Sequence, residues 1–243
     1  MRTSNPAFAS KVWDRVGHIA TADRMTVGGT ITKTLALVLL TAFAAGSSWY
    51  VTLTGSEMVR PALLIGLIGG LVLAVITVFR PQLARWTAPL YAVAEGIALG
   101  IISALYNMQY RGLPMLAVGL TLLTFVLMLT LYRTRVIRVT DQMRSIIVGA
   151  TGAIFLYYLI GFVISFFGMR IPLVHDSGWL GIGFSAVVTG IAAFNLLLDF
   201  DFIEKGVQEG YPRLMEWFAA FGVLVTLVWL YLEILRLLRK VRD

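Results

Sequence analysis

Residues 34–53, TLALVLLTAFAAGSSWYVTL, carry no charge; Lys33 precedes them and Glu57 is the next charge after them. A helix crossing the roughly 30 Å hydrocarbon core of a bilayer needs about 20 mainly apolar residues. In lipid the backbone of such a stretch can satisfy its polar groups only as a helix or within a closed barrel. Applied outward from this stretch, the same test divides the chain at its charges into further spans at 61–79, 86–106, 113–132, 145–168, 178–202 and 215–238. The third is the least regular, because Pro89 and Glu95 interrupt it. Short connections predict antiparallel neighbours. The expected fold is an all-α membrane protein, a seven-transmembrane helix bundle. It is organised as an N-terminal tail (1–30) and a seven-span membrane domain (31–243).

Composition supports this reading. The chain is 58% hydrophobic and 14% charged, with a mean hydropathy of +0.84. A soluble domain is about a quarter charged. The same figures set aside a disordered chain and a nucleic-acid-binding domain, so the pI of 9.9 is read as membrane topology rather than nucleic-acid affinity. The chain has no cysteine, which excludes disulfides, iron–sulfur clusters and thiol catalysis.

Orientation follows from Lys and Arg. With the N-terminus inside, the outer segments hold Arg60, Arg111, Arg170, Arg236, Arg239, Lys240 and Arg242; these seven of the 20 basic residues leave 13 inside. A cytoplasmic N-terminus is therefore expected. The basic end RLLRKVRD (236–243) opposes an outer C-terminus, and a seventh span that does not cross fully would explain it. In the tail, Phe8, Val12, Val16 and Ile19 recur at helical spacing, consistent either with a helix lying on the inner membrane surface or with incidental periodicity. Glycines of spans two (Gly66, Gly69, Gly70) and six (Gly181, Gly183, Gly190) are read as ordinary close packing.

A charge at the bilayer centre costs at least about 2.5–3.5 kcal/mol, so intramembrane acids need partners, water or protonation. Asp199 and Asp201, in NLLLDFDFIEKG (195–206), are expected in the last turn or two of span six, near the inner surface. Two residues apart, they point in nearly opposite directions on a helix. Asp199 reads as an ion or proton site at an inner gate, and Asp201 as a candidate nearer water. Arg80, at the inner end of span two and at similar depth, is either a partner for Asp199 or a topological anchor. Glu95 in YAVAEGIALG (91–100) is the deepest acid, roughly 13 Å in by helix rise, and reads as a carboxyl lining a cation path. Glu233 in WLYLEILRLLRK (229–240) is the weaker candidate: Arg236 and Arg239 lie one to two turns on, which favours a local interfacial ion pair.

Several chemistries lack their residues. No Gly-x-Gly-Asp is present, since Gly181-Ile182-Gly183 precedes Phe184. Both histidines, His18 and His175, lie outside the spans, and none of Lys11, Lys33, Lys205 and Lys240 is mid-span. There is no phosphate-binding Gly-x-x-x-x-Gly-Lys-Ser/Thr. No enzymatic activity and no cofactor are expected.

The order of AEGIALG (94–100) in span three, LLDFDFIEKG (197–206) at the end of span six, the opening RTSNPAF and MEWFAAFGVLVTLVWLYLEILRLL (215–238) resembles the Bax inhibitor-1 family, most closely its bacterial YccA-like branch. The resemblance covers about residues 30–240. It implies a pH-sensitive calcium leak through a bundle with span seven at its centre. It also implies a span-six aspartate that shares a proton with one in span seven, and an arginine ending span two that engages the former. Asp199 and Arg80 match the first aspartate and the arginine. LYLE (230–233) is similar to the family's LYLD, yet Glu233 follows Asp199 by 34 residues, a longer separation than the family's. By helix rise it lies roughly 20 Å or more away, too far to share a proton. Alignment by position in the helix selects neutral Thr226 or Leu227 instead, and Glu95 is then the replacement carboxyl.

The sequence thus points to a passive, pH-gated cation leak channel of the bacterial plasma membrane, with calcium as the ion. Asp199 is the gate, Arg80 its partner, Glu95 a deeper pore carboxyl, and Asp199, Asp201 and Glu95 the oxygen donors that a calcium ion would meet. Expected partners are the lipid bilayer and the cation. The alternative is a membrane interaction protein that binds and regulates a membrane-bound protease through its tail; deleting residues 1–29 separates the two. A small-solute or proton-coupled transporter ranks third.

Overall fold

Each apolar stretch forms one helix in the computed structural model, which describes residues 24–165 and 178–242. They are α1 (Val27–Leu53), α2 (Val59–Phe79), α3 (Ala84–Gln109), α4 (Leu113–Arg133), α5 (Asp141–Ser165), α6 (Trp179–Gln208) and α7 (Met215–Arg242). All seven have the length and apolarity to cross a membrane. Large hydrophobic side chains such as Leu39, Phe43, Ile65, Leu71 and Leu123 face outward, as lipid allows. The surface-helix reading of Phe8, Val12, Val16 and Ile19, and both histidines, lie outside the described residues.

Several ends differ from expectation, each for a local reason. α1 starts at Val27, seven residues early, because Thr26 caps it: its hydroxyl accepts from the Gly29 N–H at 3.0 Å. Thr30 and Thr34 return their hydroxyls to the carbonyls four residues back, which hides their polarity. α3 runs unbroken through Pro89, close enough to the helix start to forfeit a single backbone hydrogen bond. α6 extends six residues past 202. α7, with 28 residues and about 42 Å of rise, is long enough to cross fully. Its Lys240 is 2% exposed and donates to the Gly181 carbonyl at 3.0 Å, so part of the basic end is folded inward.

The chain divides into two units: residues 1–111 with 201–225, and residues 112–200 with 226–243. In the first, α3 packs against both α1 and α2. Its glycines make this possible. A Cβ on Gly96 would lie 2.5 Å from the Thr41 carbonyl oxygen, and one on Gly100 would overlap Ala45 and Ser48, so α1 approaches at backbone distance. On α2, a Cβ at Gly66 would meet the Ala94 oxygen at 2.8 Å, whereas Gly69 is barely in contact. Gly183 and Gly190 have nothing within 4 Å. Of the glycines expected to pack closely, Gly66 and Gly70 of α2 do so, and Gly96 and Gly100 of α3 join them. Met25, Ala84, Met215, Phe218 and Ala219 form a buried core cluster, and Tyr91 meets Phe221 edge-on at 5.0 Å.

In the second unit, Phe125 and Tyr132 of α4 pack on Phe200 of α6 at 5.7 and 5.8 Å between ring centres. α5 meets α6 through a 2.8 Å hydrogen bond from the Asn195 amide to the Thr151 hydroxyl, and through Tyr157 against Phe184.

Candidate functional site

Asp199 is buried, 8% exposed, inside a continuous helix. α6 goes on for nine residues to Gln208, so Asp199 lies about two and a half turns before the helix end rather than in its last turn or two. The reason is local. Lys205 pairs with Asp201 at 2.9 Å one turn on, and Gln208 donates to Glu204, which carries a charged sequence through as helix. The Thr226 hydroxyl of α7 donates to the Asp199 carboxyl, while the other carboxylate oxygen, Oδ2, is buried without a hydrogen-bond partner. Such an atom in a protein interior normally acquires water or an ion. Thr226 is one of the two positions, with Leu227, that alignment by helix depth selects opposite the span-six aspartate.

Asp201 faces another side of α6 and belongs to the first unit, where Lys205 neutralises it. Glu95 is half-buried on α3, with its Oε2 over Gly70 of α2: a Cβ there would be 2.8 Å from that oxygen. No salt bridge among the described residues involves Glu95. Arg80 is exposed at the C-terminal end of α2, its N–H bonded to the Ile76 carbonyl at 2.8 Å, and it enters no ion pair among the described residues. Arg80 belongs to the first unit and Asp199 to the second. Among the described residues no three His, Asp or Glu side chains gather as a metal-binding group.

Glu233 does pair with Arg236, whose Nη1 lies 2.8 Å from both carboxylate oxygens. The pair is not purely local, however: Glu233 is 1% exposed, and its Oε1 also accepts from Tyr158 Oη of α5 at 3.0 Å and from Trp229 Nε1 at 3.2 Å. Tyr158 Oη in turn accepts from Arg236 at 2.5 Å.

One charged site escaped sequence reasoning. Glu216, in the first turn of α7, is 1% exposed and forms an ion pair with Lys33 of α1. Its Oε1 accepts from the Thr26 N–H at 2.9 Å and hydroxyl at 2.8 Å, and Arg213 Nε stands 3.9 Å from Oε2. Gly29 leaves the room: a Cβ there would overlap the carboxylate. Just before α1, the Met25 N–H donates to the Tyr211 carbonyl at 2.6 Å and Arg24 bridges Pro212, so the chain entering α1 is strapped to the α6–α7 connection. The available signal was Lys33 itself, an apolar-flanked lysine that requires a counter-charge.

Among the described residues, buried Glu216, Glu233 and Lys240 each bond across to another helix. No curated protein and no solved structure matches the chain. Over residues 5–243, spanning all seven helices, the chain matches the family model described as Bax inhibitor 1 like, and it belongs to that family.

Proposed function

We propose that this integral membrane protein is a pH-sensitive passive leak for cations, with calcium the physiological ion, in a bacterial plasma membrane and with its N-terminus in the cytoplasm. The observation that carries this reading is Asp199, a buried mid-helix carboxyl with one oxygen held by Thr226 and the other unpartnered. Its charge depends on protonation, and its free oxygen offers a hard ligand to a passing cation. Glu95 supplies a second carboxyl. The role is conduction rather than catalysis. Purified protein in liposomes, with Ca²⁺, Na⁺ and K⁺ flux compared across pH, tests it: flux that is absent for every ion, or flat with pH, removes the reading.

The strap of Arg24 and Met25 favours a second reading, a regulator of a membrane-bound protease. A partner gripping the preceding tail would pull directly on the α6–α7 connection. Deleting residues 1–23 keeps the strap. A channel still conducts after that deletion, whereas a tail-mediated regulator loses its partner.

A further inference from the structure

We propose that the seam between α6 and α7 in the second unit is a polar track leading away from Asp199, and that Tyr158, Glu233 and Arg236 form a lock across it, between Asp199 and Ser185. The identity of what passes rests on the leak reading; the lock does not.

Two facing stripes define the track. Residues seven apart lie on one face of a helix, two turns on. On α6 that face carries Ser185, Ala192 and Asp199; on α7 it carries Thr226, Glu233 and Lys240. Thr226 bonds Asp199 and Lys240 bonds Gly181, so the stripes run antiparallel, side by side. Ser185 Oγ and Asp199 Oδ2 are both buried without a hydrogen-bond partner, and both belong to the α6 stripe. Small, fully buried Ala192 separates them. Two unpartnered oxygens on one face, about 21 Å apart by helix rise, call for water or a cation along the seam between them.

The lock lies about 10 Å beyond Thr226 by helix rise. A local pair of Glu233 and Arg236, three residues apart, needs nothing from another helix. Here the Tyr158 hydroxyl joins both: it donates to Glu233 and accepts from Arg236, whose guanidinium also stands 4.9 Å from the ring centre. That hydroxyl ties α5 to α7. With the lock made, the carboxylate is neutralised and the track is interrupted by a tyrosine ring and a guanidinium that repels cations.

Because the chain has no cysteine, a single Ala192→Cys substitution reports access to the seam. An impermeant methanethiosulfonate reagent is added to proteoliposomes on the face that α5 reaches at Ser165. Labelling is expected to be slow in the Ala192→Cys parent. Adding Tyr158→Phe or Glu233→Gln, both shape-conserving, should speed it about tenfold, the population shift from losing one hydrogen bond to a charged group. Labelling at the parent's rate in both double variants, or rapid labelling of the parent, overturns the lock. Cation flux is measured on the same vesicles. Faster labelling with no flux in any variant keeps the lock and removes the leak reading; faster labelling with increased flux supports both.

Discussion

Lys33 on α1 and Glu216 on α7 are ion-paired inside the protein although 183 residues separate them in the chain. The pair is a cross-link of the first unit, completed by both donors of Thr26. Removing one partner of a buried pair strands the other and costs about 3–5 kcal/mol. Glu216→Gln and Lys33→Met are each expected to lower thermal stability in detergent markedly. The double variant should be no worse than the worse single, because the two act on one contact. Additive losses would show that the pair is not coupled.

The glycines of α3 make a sharper packing test. Gly96→Ala should destabilise by about 1–3 kcal/mol, the usual penalty of overpacking, because its Cβ would be 2.5 Å from the Thr41 carbonyl oxygen. Gly46→Ala, on the open side of α1 with nothing within 4 Å, should be neutral or gain up to about 1 kcal/mol from helix propensity. Equal melting temperatures for the two variants would mean that α1 and α3 are not in backbone contact.

Asp199→Asn removes the titrating group while keeping its shape. Reconstituted flux is expected to lose its pH dependence over the range where wild type varies. Asp201→Asn is the control: it breaks the Lys205 pair, worth about 0.3–0.5 kcal/mol, and should leave the pH profile in place. A wild-type profile in Asp199→Asn would leave Glu95 as the gating carboxyl.

For orientation, a cysteine in the 107–112 loop should react with an impermeant thiol reagent applied outside intact cells, and one in the 134–143 loop should not. The opposite labelling would invert the protein and move Asp199 to the other half of the membrane.

The seven helices were legible because uncharged runs of spanning length are rare by accident and charges fall between them. Their ends were not, because polar residues near the ends are satisfied locally. Thr26, Thr30 and Thr34 bond back to their own helix, and Asp201 pairs with Lys205 one turn on. Asp199 stood out as an acid in an apolar run, and matching helix depth narrowed its partner to Thr226 or Leu227. Glu216 was invisible for the opposite reason. It opens a helix, a favourable place for an acid, so nothing local marks it; its counter-charge lies 183 residues away. Tyr158 is ordinary in sequence and acquires meaning only from the Glu233 carboxylate that α7 brings to it.

The polar partners of α7 also bear on biogenesis. Glu216 meets Thr26 and Lys33, Thr226 meets Asp199, Glu233 meets Tyr158, and Lys240 meets Gly181. Every one of these partners is synthesised before α7. The second half of that helix carries Glu233, Arg236, Arg239 and Lys240, and a lone charge at mid-membrane costs about 2.5–3.5 kcal/mol. α7 is nonetheless apolar enough to cross by itself, and being delivered last it finds Lys33 already in place for Glu216. Moving its coding sequence ahead of that for α1 in a permuted gene would leave Glu216 without that counter-charge at the moment of insertion, even though every contact of the finished fold remained available.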